Sequence, residues 1–204
     1  MYLSKNDIDS LNRTKRINII NSITGIKSAN LIGTISAEGI SNLAIFSSVI
    51  HFGSSPALLG FVLRPVSRVR RDTFNNIIKN NFFTINHVHK DFVESAHLTS
   101  KKFKSAESEF KHCNLTEYFL DGFTAPFVKE SNVGIGLKLV ETIEVKSNNC
   151  IIMIGSIEHL LVPNDMVSID GHIDLQNLNT IGVNGLDTYY DLKDLINFPY
   201  LKGL

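Results

Sequence analysis

The spacing of apolar residues changes along the chain, from helical near the N-terminus to strand-like beyond it. Isoleucine and leucine first recur at mixed helical spacings, and Asp7 is a candidate N-cap, which predicts a leading helix over about 7–21. The segments Ala29–Ser36 and Ile40–Phe52 are rich in β-branched and aromatic residues, as is typical of strands. Ala37–Gly39 between them has the composition of a turn, so we expect two strands joined by a short connection.

Four further segments have the pattern of strands. Leu58–Leu63 is a continuous apolar run and therefore predicts a strand that is buried on both faces. The other three are rich in aliphatic and aromatic residues, partly in alternation with polar ones: Phe82–Val88, Gly136–Lys146 and Cys150–Val162.

Three short helices are predicted beside these strands. Asp72 and Thr73 are suited to capping the first, and a capping box of Asp91 and Glu94 begins the second, which continues to about residue 98. A polar helix over 106–113 is the third. Strands outnumber helices, and short turns often join successive strands. The pattern therefore predicts a mainly β fold, an antiparallel barrel or sheet with peripheral helices, rather than a parallel doubly wound fold.

Composition narrows the class of protein. The 204 residues fit one domain over 1–204, with a barrel core at about 28–162 and a C-terminal extension over 163–204. Twenty basic residues balance twenty acidic ones, which disfavours nucleic acid as a partner, and 43% apolar residues with thirteen Phe indicate a globular chain. The apolar runs fall far short of the ~20 residues that a membrane helix requires.

Two observations indicate a location in the cytoplasm. The N-terminal residues lack the layout of a secretion signal. Cys113 and Cys150 lie far apart and form no CxxC motif, so neither a disulfide framework nor a cysteine zinc site is expected. We therefore expect a reducing compartment, without a membrane partner.

A cluster of arginines is the most informative local feature. It comprises Arg64, Arg68, Arg70 and Arg71, and it immediately precedes the helix that begins at Asp72. Free backbone N–H groups at a helix N-terminus, together with guanidinium donors, suit a phosphate group. A solvated basic loop explains the same residues equally well, and the local sequence leaves both interpretations open.

A second feature is the alternation of small polar and apolar residues in Ser41–Ser48. Hydroxyl and amide groups there could hydrogen-bond a planar heterocycle whose face rests on aliphatic carbon. A half-buried strand with its polar residues facing water is the simpler explanation of the pattern alone.

Other chemical motifs find less support. Gly134-Ile135-Gly136 lacks the third glycine and the following helix of a dinucleotide-binding motif. His87 and His89 have strand spacing, but no third metal ligand is evident nearby, so we expect no metal site. No nucleophile elbow occurs, and the sequence therefore gives no support to nucleophilic catalysis and predicts no catalytic side chain.

Taken together, several segments resemble the flavin reductase-like family, whose fold is the FMN-binding split barrel. They follow the family's order and spacing over most of residues 28–190: Asn42–Val49, Gly53–Phe61, Arg71–Ile77, Phe82–Asn86, and Asp170–Leu175 with Gly182, Gly185 and Tyr189. Two departures concern the usual Pro-Pro, which is Pro56-Ala57 here, and a basic residue before the C-terminal glycines, which is Val183 here.

The resemblance implies a set of flavin-binding residues. The isoalloxazine and ribityl portions of FMN would be lined by Asn42, Ala44, Phe46, Ser47, Ser48 and Val49, and either Phe46 or Phe61 would shield one face of the ring. The phosphate would lie at the arginine cluster and the helix start, namely Arg64, Arg68, Arg71, Asp72 and Thr73. Members of the family are similar in being homodimers with FMN at the interface, so Tyr189 would approach the partner's flavin.

The leading hypothesis is an NAD(P)H-dependent flavin reductase, a flavoprotein in which a reduced nicotinamide delivers hydride to FMN. The acceptor would be a small molecule or a partner monooxygenase. The absence of a catalytic motif agrees with this hypothesis, because the cofactor carries the redox chemistry and the protein positions it. A non-catalytic FMN-binding or flavin-carrying protein is one alternative, and an oligomeric interaction module with a vestigial site is another.

Overall fold

The computed structural model describes residues 1–67, 69, 71–104, 106–193 and 196–199. Its strands are β1 (Lys27–Ser28), β2 (Asn30–Ile35), β3 (Ser41–Phe46), β4 (Val49–Ser54), β5 (Ala57–Leu63), β6 (Phe82–His87), β7 (Glu117–Tyr118), β8 (Phe127–Val128), β9 (Gly134–Val145), β10 (Cys150–Leu161), β11 (Ile181–Asn184) and β12 (Thr188–Asp191). Its helices are α1 (Lys5–Ser10), α2 (Arg13–Ser22), α3 (Asp72–Asn80), α4 (Val93–Leu98) and α5 (Glu109–His112), with 3-10 turns at Lys90–Phe92 and Asn164–Met166.

Seven antiparallel strands form the main sheet, in the order β3-β2-β6-β9-β10-β5-β4. The two edge strands, β3 and β4, are consecutive in the chain and are joined by Ser47 and Ser48 alone. Because a two-residue link cannot span a flat seven-stranded sheet, the sheet must curl until its edges meet, which makes an open barrel. The predicted mainly β fold with an antiparallel barrel and peripheral helices is confirmed.

The barrel interior is filled by large side chains from every central strand. Ile32, Phe61, Phe83, Leu137 and Met153 are all fully buried in one cluster. Ile77 of α3 belongs to the same cluster, so α3 packs against the barrel. A second cluster forms where α4 and α5 cover the other face of β2 and β3. β2 is consequently buried on both faces. It lies beside β3 and packs against α3, so these two elements are close together.

The predicted leading helix is wrong in its extent, because the chain forms two helices there. Ser4 caps α1 through a capping box in which Asp7 is the third helical residue, so Asp7 is not the N-cap. Asn12 caps α2 by accepting from the backbone N–H of Lys15. A polar side chain that serves as a cap inside a helical pattern thus divides the segment.

Ile40–Phe52, predicted as one strand, is divided by Ser47 and Ser48 into β3 and β4. The reason is topological, since the two halves lie at opposite edges of the curled sheet. The turn over Ala37–Gly39 is confirmed, and Gly39 supplies its positive φ of 81°. The strands predicted at 58–63, 82–88, 136–146 and 150–162 are also confirmed, each within a few residues.

The helix caps differ from those expected. Arg71 is the N-cap residue of α3 and makes no side-chain cap, while Asp72 and Thr73 already belong to the helix. The predicted capping box of Asp91 and Glu94 is also wrong, because a 3-10 turn that is capped by His89 precedes α4. The helix predicted over 106–113 is reduced to the four residues of α5.

Candidate functional site

The first part of the site is the junction between β3 and α3. The side-chain amide of Asn42 donates to the hydroxyl groups of Thr34 and Thr73, each over 3.2 Å. Asn76 donates to the same Thr34 hydroxyl over 3.1 Å. Two residues that the resemblance assigns to flavin, Asn42 and Thr73, are therefore in contact, and they hold the first turn of α3 against the strand.

The N-terminus of α3 carries an unpartnered cationic atom. Nε of Arg71 is buried and makes no hydrogen bond, whereas Arg64, after the end of β5, is exposed. Arg68 and Arg70 lie outside the described residues. A buried guanidinium N–H without an acceptor costs about 1–3 kcal/mol. An anionic group at the start of this nine-residue helix would remove that cost, because the helix dipole and the guanidinium attract it together.

The second part of the site is the link between the two edge strands. Ala44 and Phe46 lie in β3, Val49 begins β4, and Ser47 and Ser48 connect them, all of them half-buried. The Phe46 ring packs edge-on against Phe61 at 5.0 Å, and Val49 packs on the same barrel core. The link and its flanking residues therefore present a partly exposed apolar surface that packs on the barrel core.

The hydroxyl of Ser48 is engaged in the barrel itself. It donates to the carbonyl of Val62 over 3.0 Å and accepts from the N–H of the same residue over 3.2 Å. Ser48 directly precedes β4, and its side chain bonds the backbone of β5 one residue beyond the β4–β5 pairing. Both Ser47 and Ser48 were expected to contact the ring. The hydroxyl of Ser48 instead bonds the backbone of Val62 within the barrel.

The predicted contact of Phe61 with flavin is not supported by its burial. Its ring is fully buried between Phe46 and Phe83, with centroid separations of 5.0 and 5.6 Å. A ligand could reach it only if the core moved. Phe46, which is half-buried, remains the aromatic residue of the pair that can face a ligand.

Tyr189 lies in β12, away from the β3–β4 link in the chain. Its hydroxyl is 2.8 Å from Nδ1 of His97 in α4, and the two rings pack edge-on. Burial, with a smaller contribution from Asp187, raises the pKa of the Tyr189 phenol above its usual range. The predicted approach of Tyr189 to a partner's flavin stays a prediction.

A cleft of about 310 Å³ lies beside the β3–α3 junction. Its described lining comes from the turn before β3, one face of α3 and the start of α5, and the charged residues among these are Glu38, Asp72, Lys79, Glu107 and Glu109. Of the twelve predicted site residues that the structure describes, Asn42 and Asp72 line it. Carboxylates predominate among these described residues, so we expect the phosphate on the Arg71 side of the helix.

Glu109 is a residue at this junction that sequence reasoning missed. Its Oε2 accepts the backbone N–H of Leu43 over 2.9 Å, which covers the open edge of β3. Burial is the main cause that raises the pKa of the Glu109 carboxyl. The pair is 66 positions apart in the chain, and no local pattern could have indicated it.

Two further features of the described residues concern ions and membranes. No three potential metal ligands converge within the described part of the chain. The helices among those same residues are too short or too polar to cross a membrane.

The antiparallel barrel, which is open between its edge strands and is flanked by the helix that begins beside the buried Nε of Arg71, is a split barrel. The chain belongs to the flavin reductase-like family, since the family model described as "Flavin reductase like domain" matches residues 26–174. The suggested resemblance is thereby confirmed. Members of this family typically bind FMN, and the buried Nε of Arg71 fits the phosphate of that cofactor.

Solved structures and one sequence relative are similar to this chain. A split-barrel protein of Shewanella frigidimarina, a candidate flavin reductase, is 44% identical, with a TM-score of 0.94 over 98% of this chain and 100% of that chain. Nitrilotriacetate monooxygenase component B of Bacillus cereus shares the fold at 19% identity, with a TM-score of 0.86 over 97% and 98% of the two chains. An uncharacterized protein of Halalkalibacterium halodurans is 25% identical over 85% of each chain.

Proposed function

We propose that this protein is an FMN-binding oxidoreductase, and specifically an NAD(P)H-dependent flavin reductase. The observation that carries the proposal is the buried, unpartnered Nε of Arg71 at the start of α3, in a chain that belongs to the flavin reductase-like family. The proposal treats residues 1–204 as one domain that acts in the cytoplasm.

In this proposal the start of α3 holds the phosphate. Arg71 contributes its guanidinium, and the first backbone N–H groups of α3 add the donors that a helix N-terminus leaves free. The hydroxyl of Thr73 accepts from Asn42, so its own hydrogen can be donated onward to an anion. Arg64, which is exposed nearby in the chain, adds long-range attraction, and Asp72 limits the net positive charge.

The β3–β4 link is proposed to hold the ring system. Ala44, Phe46 and Val49 offer apolar contact, and Ser47 adds a hydroxyl at the rim. The bond from Ser48 to Val62 makes the link rigid, so the contacts are organised before a ligand arrives. When bound, FMN supplies the capacity to accept hydride from NADH or NADPH and to pass electrons on.

A homodimer is part of the proposal. The β3–β4 link lies open in the single chain, and a two-fold partner would cover its apolar surface and exclude water from the site. Nitrilotriacetate monooxygenase component B, which is by name a component of a monooxygenase, shares the fold. We infer that a partner monooxygenase or a small-molecule acceptor receives the reducing equivalents here.

The proposal is tested by purifying the protein, recording its absorbance spectrum, and adding NADH or NADPH without oxygen. Bound FMN that is bleached by either nicotinamide supports a reductase. Bound FMN that is bleached by dithionite alone would favour the alternative, a flavin-carrying protein on the same fold. A protein that binds no flavin would contradict both.

A further inference from the structure

Two residues that are paired across neighbouring strands of the barrel each carry a buried polar atom without a partner. Asn30 in β2 and His87 in β6 are directly opposed in the antiparallel pairing. The Oδ1 atom of Asn30 and the Nδ1 atom of His87 are both buried, and neither has a hydrogen-bond partner. Buried polar atoms are nearly always paired, so two orphans on neighbouring residues call for a common explanation.

The strand geometry points both side chains to the same place. Directly opposed residues of an antiparallel pair project to the same face, with Cβ atoms about 4.5–5.5 Å apart. Ile32 and Ile85, two positions along each strand, belong to the barrel core. Asn30 and His87 therefore form the next layer of the barrel, and Phe46 is opposed to Asn30 on its other side.

The hydrogen bonds of Asn30 fix the orientation of its amide. Its Nδ2 donates to the carbonyl of Ser28 over 3.3 Å and to the Ser28 hydroxyl over 2.8 Å. A carbonyl can only accept, so the nitrogen must lie on that side and Oδ1 must face the other way. Asn30 Oδ1 is thus a true acceptor without a donor.

His87 can supply the second acceptor. Its backbone is fixed, since its N–H donates to Val133 and its carbonyl accepts from Ser131. Burial lowers the pKa of the imidazole to about 4, so the ring is neutral at pH 7. With the proton on Nε2, the buried Nδ1 accepts.

We propose that Asn30 and His87 form a binding site for a group that donates two hydrogen bonds, one to Oδ1 and one to Nδ1. A water molecule and a primary carboxamide share this chemistry. That a carboxamide is the donor rests on the proposed function, because reduced nicotinamides carry this group. Phe46, at the end of β3 beside the proposed ring site, is on the strand adjacent to Asn30.

The first test is the tautomer of His87, observed by long-range 1H–15N NMR on the flavin-free full-length protein at pH 7. The signal is assigned with His87→Gln. We expect the proton on Nε2 and an Nδ1 shift characteristic of an accepted hydrogen bond. A proton on Nδ1 would overturn the proposal, because Nδ1 would then be a donor and the pair would not present two acceptors.

The second test identifies the donor. A high-resolution crystal structure should show density about 2.7–3.2 Å from both atoms. A change of the His87 shift on adding nicotinamide, but not nicotinic acid, identifies a carboxamide, while density without such a change identifies water. An empty site would overturn the proposal. His89, whose Nε2 lies 2.7 Å from the carbonyl of Glu130, is the internal control and should not respond.

These readouts are independent of catalysis. If flavin binding or nicotinamide oxidation fails while the His87 tautomer and the density are as expected, the proposed function is wrong and the two-acceptor site stands. If the reverse holds, the site is wrong and the reductase stands.

Discussion

The side-chain amide of Asn42 donates a 3.2 Å hydrogen bond to the hydroxyl of Thr73, although the two residues are 31 positions apart. The bond ties the edge strand β3, which leads into the proposed ring site, to the helix α3, whose start is the proposed phosphate site. One contact thus connects the two parts of the proposed cofactor site. It also makes the position of Arg71 dependent on the barrel.

Removing the guanidinium of Arg71 should weaken FMN binding more than riboflavin binding. Charge-assisted hydrogen bonds contribute about 1.5–3 kcal/mol, so Arg71→Gln should lose on the order of tenfold or more in affinity for FMN. Riboflavin, which lacks the phosphate, should be little affected. Fluorescence quenching titrations of both flavins measure the difference.

Lys79→Gln is the matched control, since it removes a cation from the last turn of the same helix. It should leave both titrations unchanged. Equal losses for FMN and riboflavin in Arg71→Gln would place the phosphate elsewhere.

Replacing Ser48 by alanine should destabilise the fold. The change removes the hydroxyl that both donates to and accepts from the backbone of Val62, and we expect a loss of about 1–3 kcal/mol in the free energy of unfolding. Ser47→Ala, one residue earlier in the same link, is the control and should cost less. Denaturant unfolding of both variants measures this, and equal stabilities would show that the Val62 bond contributes nothing.

The sequence predicted the periodic elements better than the contacts between them. Alternation predicted the strand at 136–146, and richness in Ile, Val and Leu predicted the strand at 150–162. The break at Ser47 and Ser48 was not visible, since two half-buried serines fit a strand pattern equally well. Curling of the whole sheet, a property of the seven strands together, decides that the chain changes edges there.

In the candidate site too, the sequence indicated individual residues better than the contacts between distant ones. The family resemblance indicated Asn42, Thr73 and Arg71. No spacing indicated that Glu109 would accept a hydrogen bond from the edge of β3, or that His97 and Tyr189 would be hydrogen-bonded. The burial of Phe61 was also missed, because an aromatic residue in a strand gives no sign of which barrel layer it occupies. Such contacts depend on long-range packing.

Stability should fall at acid pH in part through His87. Burial lowers its pKa from 6.5 to about 4 in the folded chain, so the unfolded chain binds more protons between these values. The folded state is therefore destabilised as pH drops through this window, by about 3 kcal/mol below pH 4, and is unaffected by His87 above about pH 7.

His87→Gln should remove this part of the pH dependence. His51→Gln, at an exposed histidine, is the control and should keep it. Unfolding free energies at several pH values test the prediction, and identical pH profiles for the wild type and His87→Gln would contradict it.

The homodimer is tested by sedimentation across micromolar concentrations, with and without FMN. We expect a species of twice the chain mass of 22.7 kDa, because a partner would cover the open β3–β4 link. A monomer at every concentration and in both conditions would contradict the proposed dimer, and with it the role of Tyr189 at a partner's flavin.

The central claim is that this barrel binds FMN and promotes its reduction by a nicotinamide. The most direct measurement is anaerobic stopped-flow absorbance, in which the protein with FMN and free FMN are each mixed with NADH and with NADPH. The account predicts that flavin absorbance is lost faster with the protein than without it, for at least one of the two nicotinamides. Reduction by dithionite, with no acceleration by the protein for either nicotinamide, would contradict the reductase.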